Sequence, residues 1–365
     1  MKIRAALIEK PGEEFHMETL ELGEPRENEA LVKITACGVC HTDDVARNGI
    51  IPVPLPAGFG HEGCGVIEAL GPGMEDFSPG DRVVFSFGYC GVCENCRSGH
   101  PYACLHNRRL NFSGEHFDGS HRLSLGGKPV SAFFGQGAFA RYAVVHRNNL
   151  IPAPDDLPLE LLAPLGCGIQ TGAGAVLNYL KAEPGSSILI TGCGAVGLSA
   201  VMAAAIAGCR EIIACDLVPE RLRLAEELGA THTLNGREVS DIPAAVRDLT
   251  DGFGVRYAVD CTGSGACVRT SLICVRPLGI CAVVGATQEL TIHVENELMG
   301  AAKTLGGVVE GCCVPQLFIP KLLGFYRQGR FPFDRLVQFY PFEEINQAFA
   351  DTKAGRVVKA VLTMA

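Results

Sequence analysis

The chain has 365 residues, a length at which one hydrophobic core usually divides into two, so two domains are expected. The net charge of -9 and the absence of long lysine or arginine clusters exclude a general nucleic-acid binder, which needs a basic surface. The sequence has no secretory signal peptide and no apolar stretch typical of a membrane span. We therefore expect a cytoplasmic protein without a membrane partner, whose 17 cysteines serve as thiols and metal ligands.

Short strand-like runs such as Ala30–Ile34 and Arg82–Phe85, separated by Gly and Pro turns, predict a mainly β first domain. From about Ile169, apolar strands alternate with helical stretches, which predicts a doubly wound parallel sheet. Its strand candidates are Ser187–Ile190, Glu211–Cys215, Tyr257–Asp260 and Ile280–Val284. A last strand at Val357–Leu362 predicts a return to the first domain. The expected α/β architecture is a β domain over 1–168 and 310–365 around a second domain over 169–309.

Three short motifs each place a soft metal ligand beside small residues: GVCHTD at 38–43, GHE at 60–62 and GCG at 166–168. Together Cys40, His61 and Cys167 make a Cys2His set, and catalytic zinc sites combine three protein ligands with one open position. Each residue alone is more often a buried thiol or a structural imidazole. Their occurrence together with the two motifs below favours a metal site.

Cys90, Cys93, Cys96 and Cys104 follow the spacing C-x2-C-x2-C-x7-C in one Gly-rich, polar loop. Four thiolates close the coordination shell, as in structural zinc sites. The bacterial ferredoxin run also begins C-x2-C-x2-C but continues x3-C-P, whereas here the fourth cysteine comes later and Leu105 follows it. Zinc is therefore favoured over an iron–sulfur cluster. Four unrelated buried thiols are disfavoured, because this loop offers little apolar surrounding.

Gly192, Gly194 and Gly197, with Val196 beside the last, supply G-x-G-x-x-G between an apolar strand and an Ala-rich helix. In this context the motif predicts a dinucleotide site. Its glycines allow the turn, the approach of the pyrophosphate and close helix packing, and the helix N-terminus faces the phosphates. Asp216 ends the next strand, where a carboxylate accepts hydrogen bonds from the adenosine ribose and repels a 2′-phosphate. NAD is therefore favoured over NADP.

With these motifs the chain resembles the zinc-dependent medium-chain alcohol dehydrogenases over essentially its whole length, and most of all the bacterial benzyl-alcohol or aryl-alcohol dehydrogenases. The subgroup resemblance lies in Asn111–Phe112, Asp118–Ser120 and Phe133–Gln136. The resemblance implies a GroES-like, mainly β catalytic domain formed by both chain ends, a Rossmann NAD-binding domain over 169–309 and an active-site cleft between them. It also implies two zinc ions per chain: a catalytic zinc held by the Cys2His set and a structural zinc held by the four cysteines.

The resemblance implies roles for further residues around the metal. Thr42 would hydrogen-bond the substrate hydroxyl, Asp43 would support His61, and Glu62 would lie beside the zinc. Three cofactor contacts are implied as well, with ordinary packed or solvated side chains as the alternative for each: Thr171 near the nicotinamide, Arg221 near the adenosine and Lys359 near the pyrophosphate.

The chain departs from the liver-type members at one position. Five residues after the first zinc-ligating cysteine they carry a histidine, the outlet of a proton relay, and here Val45 stands there. His41, where the family places a pyrophosphate contact, would either take part in proton release or only bind phosphate, with water as the proton acceptor. Both interpretations remain open.

We expect reversible, NAD- and zinc-dependent oxidation of a small primary alcohol to its aldehyde. Phe133 and Phe134 would be either an apolar wall for an aromatic or allylic substrate or core residues. One alternative is a thiol-dependent formaldehyde dehydrogenase, in which Arg108 would pair with an anionic thiol carrier. Another is a non-catalytic zinc- or nucleotide-binding protein on the same fold. The segment after Cys104 favours a homodimer, with a homotetramer as the alternative.

Overall fold

The computed structural model describes residues 1–364, which form two compact units. The first unit contains residues 1–167, 314–319 and the segment from Leu336 onward. The second contains Gly168–Cys313 and Pro320–Arg335. Within residues 1–364, every helix is too short or too polar to cross a membrane.

The first unit is built mainly from strands. Those before residue 153 are β1 (Lys2–Ile8), β2 (His16–Leu22), β3 (Glu29–Gly38), β4 (Ala57–Gly58), β5 (Glu62–Leu70), β6 (Arg82–Phe85), β7 (Leu123–Leu125), β8 (Lys128–Ala132), β9 (Tyr142–His146) and β10 (Leu150–Pro152). The helices between them and just after them are α1 (His41–Arg47), α2 (Glu94–Arg97), α3 (Asn107–Phe112) and α4 (Leu159–Leu162). A closed barrel has the strand order β1-β2-β7-β8-β4, and its core includes Ile3, Leu7, Leu20 and Val130.

A seven-stranded sheet lies beside this barrel in the first unit, and β3 is its central strand. β5 pairs with one edge of β3, and β9 and a later strand pair with the other edge. Along the strand Ala30, Val32 and Ile34 are buried, whereas Lys33 is exposed. The predicted strands at Ala30–Ile34 and Arg82–Phe85 correspond to parts of β3 and all of β6. Since β3 ends at Gly38, this sheet delivers Cys40 to its position.

The second unit alternates strands and helices. In chain order they are α5 (Gly168–Gly174), which continues as a π-helical segment to Leu180, β11 (Ser187–Thr191), α6 (Ala195–Ala207), β12 (Glu211–Asp216), α7 (Pro219–Glu227), β13 (His232–Asn235), α8 (Ile242–Asp248), β14 (Val255–Asp260), α9 (Gly265–Cys274), β15 (Val275–Val283), α10 (Val294–Glu297) and β16 (Thr304–Gly307). All strand pairs are parallel, in the order β13-β12-β11-β14-β15-β16. This is the Rossmann order, so the expected fold class is confirmed. The sequence did not indicate β13 and β16, which are short and only partly apolar.

After residue 309 the structure divides the chain between the units differently from the expected domains. The second domain was expected over 169–309 and the first was expected to resume at residue 310 and to include all residues up to 365. Helix α11 (Pro315–Arg327) begins in the first unit, but residues from Pro320 to Arg335 belong to the second. Polar contacts explain this, since the Arg330 guanidinium donates to the carbonyl of Ile206 and Arg335 pairs with Glu227. The chain then returns to the first unit through β17 (Val337–Pro341), α12 (Ile345–Lys353) and β18 (Lys359–Thr363), which pairs antiparallel with β3.

A buried ionic cluster anchors the start of β3. Glu29 is only 2 % exposed, and Arg122 donates to both of its carboxylate oxygens at 2.8 Å. The Nδ1 atom of His116 lies 3.2 Å from Oε1 of the same carboxylate. Burial alone would raise the pKa of Glu29, but the contacts from His116 and Arg122 outweigh it and hold this pKa at about 2.

A carboxyl whose pKa is lower in the folded than in the unfolded chain stabilises the fold only while it is ionised. The stabilisation by Glu29 is therefore fully present above its ordinary pKa of 4.5 and is lost as the pH falls towards 2. We predict that Glu29→Gln lowers the free energy of unfolding at pH 7 by about 3 kcal/mol, because Arg122 loses its buried charged partner. The difference from the wild type should shrink below pH 4.5.

Urea unfolding followed by circular dichroism at several pH values measures this difference. Asp118→Asn is the matched control, because Asp118 also contacts Arg122, at 3.0 Å, but its side chain is 40 % exposed. This exposed pair should contribute less than about 1 kcal/mol. Equal losses in both variants, or no loss in Glu29→Gln at pH 7, would contradict the assignment.

Candidate active site

A cluster of metal-binding donors lies in the first unit, where three chain segments meet. The side chains of Cys40, His61, Glu62 and Cys167 bring their ligand atoms within 4.8 Å of one another. Cys40 directly precedes α1, His61 directly precedes β5, and Cys167 follows the 3-10 turn Ala163–Gly166. The Sγ atoms of Cys40 and Cys167 are 4.0 Å apart, and Nε2 of His61 is 3.3 Å from Sγ of Cys167. These donors are close enough to share one ion.

Glycines beside two of the donors allow this close approach. Gly60 has a φ of 93°, and a Cβ there would lie 2.5 Å from the backbone nitrogen of Phe139. A Cβ on Gly166 would fall 1.7 Å from the carbonyl oxygen of Phe85. Any larger residue at either position would displace the backbone that carries His61 or Cys167.

Asp43 fixes the orientation of the His61 ring. Its side chain is completely buried, and its Oδ1 atom accepts a hydrogen bond from the Gly60 amide at 3.0 Å and lies 3.2 Å from Nδ1 of His61. Burial alone would lower the pKa of His61, but the Asp43 charge more than offsets it and raises this pKa well above its usual value. With Nδ1 held by Asp43, Nε2 faces the two cysteines. Carboxylate–histidine pairs orient metal ligands in this way.

The chemistry of this donor set fits a soft divalent ion. The side chain of Cys167 lowers the pKa of the Cys40 thiol well below its usual range, although burial opposes the shift. The thiolate is the form that binds metals. In addition, Oδ2 of Asp43 is buried and has no hydrogen-bond partner among residues 1–364. Two thiols and one oriented imidazole supply the three protein ligands of a catalytic zinc site.

Lys359 lies beside the donor cluster, and its contact with a cofactor phosphate, which the resemblance implied, stays a prediction. Its ammonium is buried in the first unit and donates to both carboxylate oxygens of Glu62, at 2.7 and 2.8 Å, and to the carbonyl of Val39 at 3.0 Å. An ammonium has three N–H donors, and these three acceptors use all of them. Burial lowers the pKa of Lys359, but Glu62 more than offsets this and the pKa lies above its ordinary value. The ion pair holds the Glu62 carboxylate beside the donor cluster.

The start of α1 carries the other polar residues expected near the metal. The hydroxyl of Thr42 is half-buried and lies 3.6 Å from Sγ of Cys40. His41, the first residue of the helix, is exposed, whereas Val45 is buried inside the unit. Thr42 therefore borders the donor cluster, and the His41 side chain at this helix start reaches solvent.

Phe133 and Phe134 lie against His61 instead of lining an open surface. Phe133 is fully buried, with its ring edge-on to the imidazole at a centroid distance of 5.5 Å. The Phe134 ring stacks on the imidazole at 4.4 Å. Phe112 packs edge-on against Phe134 and is partly exposed, so it is the ring of this group that reaches the surface. Contact of Phe133 or Phe134 with a substrate stays a prediction.

Ser86 is a site residue that the sequence motifs did not reveal. Its hydroxyl donates to the carbonyl of Gly166 at 2.6 Å, one residue before Cys167. Its own carbonyl accepts hydrogen bonds from the side chains of Gln136 and Asn149, at 2.7 and 2.9 Å. Ser86 thus connects the Cys167 turn with the loop that contains Phe133 and Phe134. A single serine directly after an apolar strand forms no sequence pattern that would predict this role.

The second group of metal-binding side chains in the described residues contains Cys90, Cys93, Cys96 and Cys104, also within 4.8 Å of one another. Sγ of Cys90 lies 3.9 Å from that of Cys96, and Sγ of Cys93 lies 4.0 Å from that of Cys104. Backbone N–H donors, first of all that of Cys96, lower the pKa of Cys93 to about 6. Four sulfur donors with amide hydrogen bonds form a closed site without a position for substrate.

In the second unit, the glycine motif lies between β11 and α6, as expected. Gly192 has a φ of 85°, and a Cβ on Gly197 would fall 1.8 Å from the carbonyl oxygen of Gly192. By contrast, a Cβ on Gly194 would meet no atom within 4 Å. Gly192 and Gly197 are therefore required by the fold of the loop. Gly194 leaves its backbone accessible to a ligand, which fits a dinucleotide pyrophosphate.

Asp216 has backbone partners that the sequence did not indicate. Its Oδ2 atom accepts a hydrogen bond from the Cys193 amide at 2.6 Å, and Oδ1 accepts from Leu217 and Val218 at 2.7 and 2.9 Å. The carboxylate thereby joins the end of β12 to the glycine loop, and its remaining lone pairs can still accept ribose hydroxyls.

The other two expected cofactor residues also lie in the second unit. Thr171 is in α5 and is 9 % exposed. Arg221 is in the first turns of α7, and its Nε atom is buried without a hydrogen-bond partner among residues 1–364. An unpaired guanidinium nitrogen at this place is compatible with a polar ligand group, and neither contact with NAD goes beyond a prediction.

Two protein-family models match the chain. Residues 26–155 match the alcohol dehydrogenase GroES-like domain, and residues 195–322 match the zinc-binding dehydrogenase model. The range 26–155 lies in the first unit, and the range 195–322 lies mostly in the second unit.

Sequence relatives and solved structures agree with the family models. The chain is 43 % identical to a geraniol dehydrogenase of Castellaniella defragrans over 98 % of this chain and 97 % of that protein. The solved benzyl alcohol dehydrogenase of Acinetobacter calcoaceticus covers 100 % of both chains with 46 % identity and a TM-score of 0.96. An alcohol dehydrogenase zinc-binding domain protein from Burkholderia ambifaria has 48 % identity and a TM-score of 0.96, over 100 % of this chain and 99 % of its own. The chain therefore belongs to the zinc-dependent medium-chain alcohol dehydrogenase family.

Proposed function

We propose that this protein oxidises aromatic or allylic primary alcohols reversibly to aldehydes with NAD, using one catalytic and one structural zinc ion per chain. The observation that carries the proposal is the convergence of Cys40, His61 and Cys167 on one point of the first unit. The proposed substrate class rests on two relatives, one named for an allylic alcohol, geraniol, and one for an aromatic alcohol, benzyl alcohol.

The residues around Cys40 provide the proton chemistry of this reaction. A zinc ion held by Cys40, His61 and Cys167 would supply positive charge that lowers the pKa of a neighbouring hydroxyl. NAD would accept the hydride from the carbinol carbon. The Thr42 hydroxyl, beside Cys40, accepts the hydrogen bond of the substrate hydroxyl and passes the proton on. Because Val45 carries no titratable group, that proton goes to His41 or directly to water.

Two buried partners keep the ligand set in its working arrangement. Asp43 holds the imidazole of His61 so that Nε2 faces the cysteines. Lys359 binds both oxygens of Glu62 and so compensates a carboxylate that lies within reach of the metal ligands. With Glu62 engaged by Lys359, the protein ligands of the ion would be Cys40, His61 and Cys167, the three-ligand set of catalytic zinc sites that keep an open position for substrate.

A second candidate function is the oxidation of a thiol adduct of formaldehyde, and a surface groove in the first unit favours it. The groove has a volume of about 630 Å³ and is lined by the apolar residues Pro52, Val53 and Phe112 and by the cations Arg108 and Arg109. Two guanidinium groups beside an apolar wall suit a carboxylate-bearing thiol carrier.

Substrate preference separates these candidates. We predict that kcat/KM with NAD is highest for benzyl alcohol, geraniol or close analogues. It should be at least about tenfold lower for ethanol, because a short alcohol leaves the apolar contacts of the site unused. NADH absorbance measured with each alcohol, and with formaldehyde plus glutathione or mycothiol, tests this. A higher efficiency with a thiol adduct would replace the first proposal by the second, and no NAD reduction with any compound would favour a non-catalytic binding protein.

The two metal sites should respond differently to loss of a cysteine. We predict that Cys167→Ser lowers zinc from two ions to one per chain and kcat/KM by more than about 100-fold, with a nearly unchanged melting temperature. Cys93→Ser should lower the melting temperature by at least about 5 °C, because a closed four-cysteine site contributes folding energy. Elemental analysis, calorimetry and steady-state kinetics provide the readouts. Equal thermal destabilisation by both substitutions would contradict this division.

Asp216 should determine the choice of cofactor. We predict that Asp216→Gly raises the ratio of kcat/KM for NADP to that for NAD by at least about tenfold, which corresponds to about 1.4 kcal/mol, since the repulsion of a 2′-phosphate is removed. The variant should also melt at a lower temperature, because three backbone amides lose their acceptor. Asp216→Asn is the control that removes the charge but keeps a side chain of nearly equal size, so it separates the loss of repulsion from the loss of the side chain. An unchanged cofactor ratio in Asp216→Gly would remove the reason for naming NAD.

A further inference from the structure

We infer that Phe134 is a positioning residue for His61: its ring fixes the plane of the imidazole and so directs Nε2 towards the metal. The inference rests on the proposed function, because it assumes that Cys40, His61 and Cys167 hold a metal ion. It assigns to Phe134 a contact with a ligand of the ion instead of a contact with the substrate.

The backbone of Phe134 has an unfavourable conformation for a bulky residue. Its φ and ψ are 57° and 20°, in the left-handed region. For a residue with a side chain this region costs about 1 to 2 kcal/mol, and such residues concentrate where the surroundings enforce them. Gly135 and Gly137, with φ of 62° and 60°, meet the same demand without strain. The chain therefore keeps a phenylalanine at a position where glycine would fit the backbone better.

The contacts of the ring account for its presence. The Phe134 ring stacks on the His61 imidazole with a centroid distance of 4.4 Å and an interplanar angle of 23°. Phe112 and Phe133 pack edge-on against its own ring, at 5.3 and 4.9 Å. Phe134 is only 4 % exposed. The stacked ring is thus confined by other aromatic rings and cannot move without disturbing them.

Asp43 alone leaves one motion of the imidazole unrestrained. The contact between Oδ1 of Asp43 and Nδ1 of His61, at 3.2 Å, fixes one corner of the ring. The ring can still tilt about that contact, which would move Nε2 away from Sγ of Cys167, now 3.3 Å distant. A flat surface stacked against the imidazole opposes this tilt. Phe134 supplies that surface, and Phe133 meets the ring edge-on at 86°.

The loop that carries Phe134 is itself fixed to another ligand segment. Gln136 donates to the carbonyl of Ser86 at 2.7 Å, and the Ser86 hydroxyl donates to the carbonyl of Gly166 at 2.6 Å. Gly166 directly precedes Cys167. The stacked ring and the Cys167 turn therefore share one hydrogen-bonded support, which keeps their separation constant.

Metal release from the two sites of the intact protein tests the inference. The variant Phe134→Leu removes the flat ring but keeps an apolar side chain, and Phe134→Tyr keeps the ring. Phe112→Leu is the matched control, because Phe112 contacts Phe134 and Phe133 but has no ring contact with His61. The readouts are zinc transfer to a chromogenic chelator over time and the visible spectrum of protein in which cobalt replaces the ion of the Cys40 site.

We expect Phe134→Leu to release one of its two zinc ions about tenfold faster than the wild type, at the low end of the effect of losing an outer partner of a metal ligand. The cobalt spectrum should shift, and release from the four-cysteine site should stay unchanged. Phe134→Tyr and Phe112→Leu should behave as the wild type in both readouts.

Unchanged release and an unchanged spectrum in Phe134→Leu would overturn the inference, as would equally faster release from both sites, which indicates general destabilisation. Equal effects of Phe112→Leu and Phe134→Leu would also overturn it, since packing and not stacking would then be responsible. A wild-type protein that binds metal only at the four cysteines would overturn the proposed function itself, an outcome that is visible before any variant is compared.

Discussion

The contact between Asp43 and His61 is the interaction on which the arrangement of the first unit depends. It joins the first turn of α1, which follows Cys40, to the residue that precedes β5, and both side chains are buried. A buried carboxylate is costly unless hydrogen bonds or a charge compensate it. The Gly60 amide and the imidazole of His61 provide that compensation. The same contact that makes Asp43 tolerable in the interior also orients a metal ligand, so stability and function share one cause.

Buried charge recurs on the other side of the donor cluster. Glu62 and Lys359 come from β5 and β18, far apart in the chain, which pair with opposite edges of β3. Their side chains can meet across β3 because Gly38 has no side chain, and a Cβ there would lie 2.0 Å from Oε2 of Glu62. Removal of one member of such a pair leaves an uncompensated buried charge. The pair therefore ties the return of the C-terminal strand to the neighbourhood of the metal ligands. This gives a physical reason for β18 to lie in the first unit.

Much of the fold and of the site could be predicted from the sequence, because several residue types have few alternative uses. A Gly-rich turn between an apolar strand and an Ala-rich helix predicted the β11–α6 junction, and four closely spaced cysteines predicted a closed metal site. The strands β13 and β16 were not anticipated, since their few apolar residues have no clear period. The sequence pattern placed residues 310–365 with the first domain, whereas Pro320–Arg335 lie in the second unit. The arginine contacts of this segment are long-range and leave no local pattern.

Pairings between distant side chains were the other limit. A lysine alone in the buried strand β18 does signal a compensated charge, but no local pattern shows that Glu62 is a partner of this lysine. The stacking of Phe134 on His61 depends on a left-handed backbone that is common for glycine and rare for phenylalanine, so no propensity argument would have found it.

A crystal structure of the purified protein, with anomalous diffraction recorded on both sides of the zinc edge, would show directly whether each chain binds two zinc ions at the proposed sites. We predict two anomalous peaks per chain. One should lie among Cys90, Cys93, Cys96 and Cys104, and the other between Cys40, His61 and Cys167, with a fourth ligand that does not come from the protein. A single peak at the four cysteines, or a second ion enclosed by four protein ligands, would contradict it.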